Sequence, residues 1–439
     1  MVQLGCRLRH VLQEGFLMSI IQQPTLFDID FLEKLDVQEK YQEILSPLEW
    51  GKVLALFEKE SRVGPPVKLN YQALLRSLMV RIHENIPTQK ALIARLKSDL
   101  RLKLSVGFLY SDPIPSEATY SRVMSILADN LSVLETMNDQ LLQLIHNEFA
   151  IFEENVALDA TAVDARTKPH KTSNPSLPKI KDQHAMSTEE IVECIPTYPS
   201  WGVKKNSQGK NTFWFGYKVS LAVSTRTQYI LDMTVASAFT ADVSLAIPTI
   251  RKVGKNKIRT DTPSYLTLDK GYDAKDIYTE AHNSGQEPIT ALKRQAKHNG
   301  EVDDHYAPTC FREHSYKYDS YDKRYGALKY VRPEAHCREC PLKNAGLCQK
   351  VYKVKQMDDA RKYNHPARGT QAWQRIYNER SSVERVNAYL KDAYQLNATR
   401  FYKADHANAF YRLIQLAYNA RTYANQRLAE RKNRKEIAV

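Results

Sequence analysis

Late in the chain, four side chains that could act on phosphodiesters recur at helical spacing. They are Tyr377, Arg380, Glu384 and Lys391, at successive offsets of three, four and seven in a stretch without Gly or Pro. At about 100° per residue, these offsets predict that all four project from one sector of a single helix. A carboxylate flanked by cations can ligate a divalent metal while the cations hold phosphate oxygens. The alternative is a solvated helix face with ion pairs four residues apart.

The composition favours a polyanionic partner. The 439 residues include 63 Lys and Arg against 50 Asp and Glu, which leaves a formal net charge of +13. Such a bias favours salt-dependent binding to nucleic acid. No apolar run approaches the ~18 residues of a spanning helix, so we predict no membrane partner. The six Cys do not follow a secreted disulfide pattern, which favours a reducing cytoplasm.

Two apolar runs each end in an aspartate, as the strands of a catalytic sheet would. Residues 156–158 precede Asp159, and residues 265–268 precede Asp269. Asp164 follows Asp159 by five residues, so in a regular strand the two carboxylates point to opposite faces and only one can join a shared cluster. The alternative for each aspartate is a capping or turn role.

The spacing Tyr-x2-Arg-x3-Glu-x6-Lys is also a family signature. It resembles, in full, the signature of bacterial insertion-sequence transposases with a DDE domain. The resemblance implies a ribonuclease H-like fold in which Glu384 is the third member of an Asp-Asp-Glu triad. Leu-Asp-Ala-Thr around Asp159 resembles the first-aspartate motif, with Ala160 where the commoner form has Gly. Asp-Lys-Gly-Tyr-Asp from Asp269 resembles the second motif, and Gly271 suits a sharp turn from strand to helix.

The resemblance also implies a chemistry and partners. Asp159, Asp269 and Glu384 would hold two Mg²⁺ or Mn²⁺ ions for DNA strand cleavage and transfer. The implied contacts to DNA phosphates are Tyr377, Arg380 and Lys391. The implied partners are terminal inverted repeats and target DNA, with a homodimer formed on the DNA ends. In a bacterium, such a protein would be cytoplasmic and associated with the nucleoid when bound to DNA.

Two rival functions remain open at this point. A ribonuclease H-like nuclease would cut DNA without joining it. A transposase-derived DNA-binding protein would keep the fold without the chemistry. Metal-dependent nicking of a DNA end would distinguish this binding protein from either enzyme.

Periodicity and composition divide the chain into regions. They are an N-terminal extension (1–35, with a possible start at Met18), a helical DNA-binding domain (36–150), a ribonuclease H-like catalytic domain (151–295 and 375–425), an insertion (296–374) and a basic tail (426–439). We expect a mixed five-stranded sheet in the catalytic domain. Residues 165–211 are polar and basic, which predicts an extended, partly mobile loop, and residues 410–423 predict an amphipathic helix.

Residues 116–122 start a helix of the N-terminal domain that is compatible with a helix-turn-helix-like reader of DNA ends. The alternative is a helical packing domain that makes no DNA contact.

The insertion carries a cluster of cysteines. They are Cys310, Cys337, Cys340 and Cys348. Four thiols that include one Cys-x2-Cys pair can form a structural Zn²⁺ site, although the other spacings are irregular. The alternative is a set of reduced cysteines without a metal.

Overall fold

A computed structural model of the chain describes residues 39–58, 69–205, 208–256, 264–293, 301–343 and 348–437. The predicted N-terminal extension and the start at Met18 lie outside the described residues. No helix in the described part of the chain is long and apolar enough to cross a membrane.

The region before the first strand is helical, as predicted. Its helices are α1 (Glu39–Leu45), α2 (Gly51–Ala55), α3 (Tyr71–His83), α4 (Gln89–Ser98), α5 (Leu100–Ser105), α6 (Glu117–Asp129) and α7 (Leu131–Phe149). Helices α3 to α6 each begin after a residue whose side chain accepts a hydrogen bond from the third helical amide. These N-cap residues are Asn70, Thr88, Asp99 and Ser116. The caps explain where these helices begin, because they satisfy amides that have no partner within the helix.

A mixed sheet follows the helical region. Its strands are β1 (Val156–Asp164), β2 (Ser200–Lys205), β3 (Asn211–Ser224), β4 (Ile230–Ser237), β5 (Ser264–Leu268) and β6 (Gln286–Thr290). The order is β2-β3-β1-β5-β6, and β4 also pairs with β3. Strands β1, β3 and β4 are antiparallel neighbours, whereas β5 and β6 continue from β1 in parallel. This is the strand arrangement of a ribonuclease H-like core.

The sheet has one strand more than predicted, because part of the basic segment 165–211 is ordered. This segment contains α8 (Ile180–Gln183), α9 (Thr188–Glu193) and the strand β2. In β2, Trp201 pairs with Phe215 and Val203 pairs with Phe213 on β3. These cross-strand apolar pairs stabilise the added strand, and the abundance of Lys in the segment had concealed them.

Helices α10 (Asp242–Lys255) and α11 (Lys275–Asn283) flank β5 in the sequence, and the insertion follows β6. The insertion contains an antiparallel sheet of β7 (Lys317–Asp322), β8 (Ala327–Val331) and β9 (Val351–Lys355), with the short helix α12 (Glu334–Cys337) before β9. Tyrosines supply much of its core: Tyr316 and Tyr330 are buried beside Leu328. A segment that looked poor in apolar residues therefore has its own small core.

The final helices cover the sheet. They are α13 (Gln371–Asn378), α14 (Ser381–Ala393) and α15 (Ala404–Ile437). Helix α14 packs on β1 and β3, and α15 packs on β4 and on α3, α6 and α7. Helix α15 continues well past the predicted 410–423 and through most of the predicted basic tail, because residues 404–437 contain no Gly or Pro. One helix thus joins the helical region to the sheet.

Candidate active site

The two candidate aspartates occupy neighbouring positions on adjacent strands. Leu158 on β1 pairs in parallel with Leu268 on β5, and Asp159 and Asp269 are the next residues of the two segments. Adjacent strands lie about 4.8 Å apart, so this register brings the two carboxylates to the same edge of the parallel pair. Asp159 is partly buried. Burial is the largest cause that raises the pKa of Asp159, and with the smaller contributions of the nearby carboxylates of Asp242, Asp269 and Glu384 the pKa is about 6.

Asp269 also organises the turn that follows β5. Its carboxylate oxygen Oδ2 accepts a hydrogen bond from the Gly271 amide at 3.4 Å, and residues 270–272 form a 3₁₀ turn. A Cβ placed on Gly271 would meet only ordinary van der Waals contact with Asp269, at 3.7 Å. Gly271 suits this turn, as predicted, but the turn does not depend on a glycine, since there is room for a side chain.

The signature residues do not lie on one continuous helix, contrary to the prediction. Tyr377 belongs to α13 and Glu384 to α14. At the junction of the two helices, the backbone hydrogen bonds join residues three positions apart instead of the four of an α-helix. Glu379 accounts for this break between the helices. Its carboxylate accepts hydrogen bonds from Asn155 Nδ2 at 2.9 Å and from Thr225 Oγ1 at 2.8 Å. These bonds tie the junction of the two helices to the sheet.

The signature side chains nevertheless remain close together. Arg380 Nη1 donates to Glu384 Oε1 at 2.5 Å. The Arg380 guanidinium lies 5.8 Å from the centre of the Tyr377 ring, which stacks on Trp373 with 4.9 Å between centroids. Half of the Glu384 side chain is exposed. The carboxylate is therefore accessible, with an arginine as its present partner.

Lys391 lies seven residues after Glu384 on α14, about two turns along the same face of the helix. Burial lowers the pKa of Lys391, Lys204 lowers it further, and the carboxylates of Asp164 and Asp159 oppose this effect. Lys391 is thus within electrostatic reach of both aspartates of β1. Asp164 itself is exposed at the end of that strand.

Two more residues adjoin the carboxylates, and neither is predicted from the sequence as part of the site. Asp242, in the first turn of α10, forms a 2.7 Å ion pair with Lys218, and among the carboxylates it has the largest effect on the pKa of Asp159. Tyr272 is 1% exposed, and its hydroxyl has no hydrogen-bond partner among the described residues. Burial, followed by these carboxylates, raises its pKa well above the ordinary value. Tyr272 was visible in the aspartate motif, whereas an acid at a helix start such as Asp242 is too common to be informative.

Asp273, the last residue of that motif, has a structural role. Its side chain is fully buried and accepts from Arg361 Nε at 2.9 Å and from Arg361 Nη2 at 2.8 Å. The Arg361 guanidinium is the main cause that lowers the pKa of Asp273, against an opposing effect of burial. This pair joins the insertion to the core, so the carboxylate of Asp273 is fixed in place although the residue lies between helical elements.

The carboxylates are close but not gathered into a finished metal site. Within the described ranges, no three His, Cys, Asp or Glu side chains converge closely enough to hold a metal ion. The donor set nevertheless fits Mg²⁺ or Mn²⁺, because both ions prefer carboxylate oxygens. Burial, with smaller contributions from the carboxylates of Asp242, Asp269 and Glu384, raises the pKa of Asp159, and a bound divalent cation would favour its charged form.

The four cysteines of the insertion adjoin one another in a similar way. All are free thiols. Slight burial, followed by the proximity of Cys310, Cys340 and Cys348, raises the pKa of Cys337. The Leu342 amide is the main cause that lowers the pKa of Cys340. The thiols thus surround Cys337 without converging to metal-binding distance.

The strand order and the strand-end carboxylates define a ribonuclease H-like protein with an acidic site. Residues 152–420, well over half of the chain, match the family described as Transposase DDE domain, and residues 29–125 match Transposase domain (DUF772). The chain therefore belongs to the Transposase DDE domain family.

Among solved structures, the chain is similar to a piggyBac transposase synaptic complex with hairpin DNA, determined by cryo-electron microscopy. The TM-score is 0.40 and the identity 10%, over 91% of this chain and 76% of that chain. No curated protein matches the chain.

Proposed function

We propose that this transposase cleaves DNA at the ends of an insertion sequence and transfers the freed strand to a target. The observation that carries the proposal is the parallel register of β1 and β5, which places Asp159 beside Asp269. The pKa of Asp159 also responds to Glu384, so three carboxylates from separate elements face a common region. Carboxylates repel the phosphates of DNA, so an acidic site can act on a phosphodiester only when metal cations are bound to it.

The three carboxylates of Asp159, Asp269 and Glu384, here called the carboxylate site, would hold two Mg²⁺ or Mn²⁺ ions. When bound, the ions would activate a water or 3′-hydroxyl and stabilise the leaving oxygen. The protein contributes rigid placement, since Asp159 lies within β1 and Asp269 directly follows β5, and both strands belong to the central sheet. Glu384 must leave Arg380 to join the site, which frees the guanidinium for a phosphate oxygen. Tyr377 and Lys391 would contact the neighbouring phosphates.

The remaining partners follow from the same proposal. The helical region would bind the terminal inverted repeats, in keeping with its match to a transposase domain family. A homodimer would hold two DNA ends before both join the target, on the nucleoid of a bacterial cytoplasm. Cleavage of a labelled DNA end by the purified full chain tests the proposal. We expect nicking that needs Mg²⁺ or Mn²⁺ and stops with a chelator, and metal-independent nicking or none would contradict it.

We propose in addition that Cys310, Cys337, Cys340 and Cys348 bind one structural Zn²⁺. Cys337 and the three free thiols near it form a donor set that Zn²⁺ prefers, and the charge of the bound metal would offset the repulsion between the thiolates formed on deprotonation. The metal would brace the segment between β8 and β9. Elemental analysis of purified protein should find one zinc per chain, lost in Cys337→Ser but retained in Cys194→Ser, which removes an exposed thiol elsewhere. Absence of stoichiometric zinc from the wild type would contradict this proposal.

A further inference from the structure

A second charged surface lies between the helical region and the catalytic core. It is an open cleft of about 490 Å³, here called the cation cleft. The charged residues that line it are Arg81, Lys90, Arg166, Arg400, Lys403 and Glu117. Five cations thus face a single carboxylate among the described residues.

Separate elements build the walls of the cation cleft. Arg81 comes from α3 and Lys90 from α4, whereas Arg166 follows β1 and Arg400 precedes α15. Two contacts hold these walls together. Ser125 Oγ lies 3.1 Å from His406 Nε2, and the Arg81 guanidinium lies 5.3 Å from the centre of the Phe410 ring. Both contacts join the helical region to α15, so the helices that flank the cleft are held against each other.

Among the residues that the structure describes, none of these five cationic side chains forms an ion pair with a carboxylate. Arg81 is in addition buried, since it is 2% exposed and donates only to the backbone carbonyls of Ile86 and Pro87. Burial, followed by the Arg400 guanidinium, lowers the pKa of Arg81 to about 10. The fold therefore keeps the charges of Arg81 and Arg400 close together, which lowers the stability of the protein when no ligand is bound.

An aromatic side chain extends this surface. Tyr402 is 65% exposed, and the Arg166 guanidinium lies 4.8 Å from the centre of its ring. Arg166 comes two residues after the end of β1, the strand that carries Asp159. The cleft is thus connected to the carboxylate site through one short segment of chain.

We propose that the cation cleft binds the phosphate backbone of duplex DNA and guides it between the helical region and the carboxylate site. This inference rests on the proposed function, since it assigns a path to the same substrate. Fixed cations on two walls suit a polyanion, whose phosphates release counterions on binding. Contacts of this kind set the position of DNA without reading its sequence. The cleft therefore binds DNA irrespective of the terminal repeat.

Anisotropy of a short, labelled duplex of mixed sequence tests this assignment, with the full chain in a chelator so that no cleavage occurs. The variants are Arg166→Ala and Arg400→Ala. The matched control is Arg324→Ala, which removes an arginine 5.5 Å from the ring centre of another exposed tyrosine, Tyr325, in the insertion. Each cleft variant should weaken binding about tenfold at low salt and reduce the slope of log K against log salt by about one. The control should change neither.

A thermal melt separates lost binding from lost folding. Arg400→Ala should melt no lower than the wild type, because it removes a charge that repels Arg81, and Arg400→Lys should restore the salt slope. Unchanged binding in both cleft variants would overturn the cation cleft while leaving the proposed function intact, and so would an equal loss in Arg324→Ala. A wild-type chain that binds no duplex at any salt concentration would overturn both.

Discussion

The carboxylate site brings negative charges close together, whereas the cation cleft brings positive charges close together. In the first, burial and neighbouring carboxylates raise the pKa of Asp159, and in the second, burial and Arg400 lower the pKa of Arg81. Both rest on elements fixed by the core. The Asp273–Arg361 pair is the contrasting case, because its opposite charges satisfy each other. Like charges held close together on fixed elements thus indicate a ligand-binding surface, whereas the buried Asp273–Arg361 pair has a structural role.

The largest expected effect on activity comes from substitutions in the carboxylate site. Asp159→Asn, Asp269→Asn and Glu384→Gln should each lower metal-dependent cleavage by roughly 10³-fold or more, because each removes a ligand charge while keeping the shape. Binding to DNA should change little, since it depends on other surfaces. Asp164→Asn is the control, as this carboxylate lies at the exposed end of β1. Should Asp164→Asn be inactive and Asp159→Asn active, the assignment of the first aspartate would be wrong.

Asp273→Asn tests the paired charges. We expect it to lower the free energy of unfolding by about 2 to 3 kcal/mol, because Arg361 loses its buried partner. The pKa of Asp273 is lowered in the folded protein, so this stabilisation is present above the unfolded pKa and lost as pH falls below about 4. Urea unfolding across acidic pH would measure it. A variant as stable as the wild type at neutral pH would mean that this pair contributes nothing.

Arg380→Ala and Lys391→Ala should weaken DNA binding by about 1.5 to 3 kcal/mol and lower the salt slope by about one unit each. Both side chains adjoin the carboxylate site and would contact phosphates there. Arg385→Ala is the matched control on the same helix. Arg385 is exposed and donates a hydrogen bond to the Ser381 hydroxyl, not to a residue of the carboxylate site. Unchanged salt slopes and unchanged cleavage would show that the two cations are merely solvated.

The smallest effect should be a gain in stability. At neutral pH without metal, the free energy of unfolding of Asp159→Asn should be about 1 to 2 kcal/mol higher than that of the wild type. The reason is that the substitution removes a buried negative charge close to other carboxylates. The folded pKa of about 6 exceeds the ordinary value of 3.8. Wild-type stability should therefore fall as pH rises from about 4 to about 6, and the variant should lack this fall. Calorimetry of both chains checks the sign, and a destabilised variant would argue against charge crowding.

The sequence was sufficient to predict the helical region, the strands that carry Asp159 and precede Asp269, and the ribonuclease H-like core, because short apolar runs and spacing are local signals. It did not predict the break between Tyr377 and Glu384, where the Glu379 carboxylate accepts hydrogen bonds from Asn155 and Thr225. Nor did it predict that Arg166 and Arg400 would line one cleft with Arg81. Such contacts join distant parts of the chain, and no local pattern contains them.

The most direct test of the central claim is Mn²⁺ binding to the metal-free full chain, followed by electron paramagnetic resonance at neutral pH. Wild type, Asp159→Asn and Asp164→Asn should be compared side by side, since thiols compete poorly for Mn²⁺. We predict that wild type and Asp164→Asn bind Mn²⁺ alike and that Asp159→Asn loses most of this affinity. An Asp159→Asn chain that binds Mn²⁺ as tightly as the wild type would contradict the claim that this edge of the sheet holds the catalytic metal.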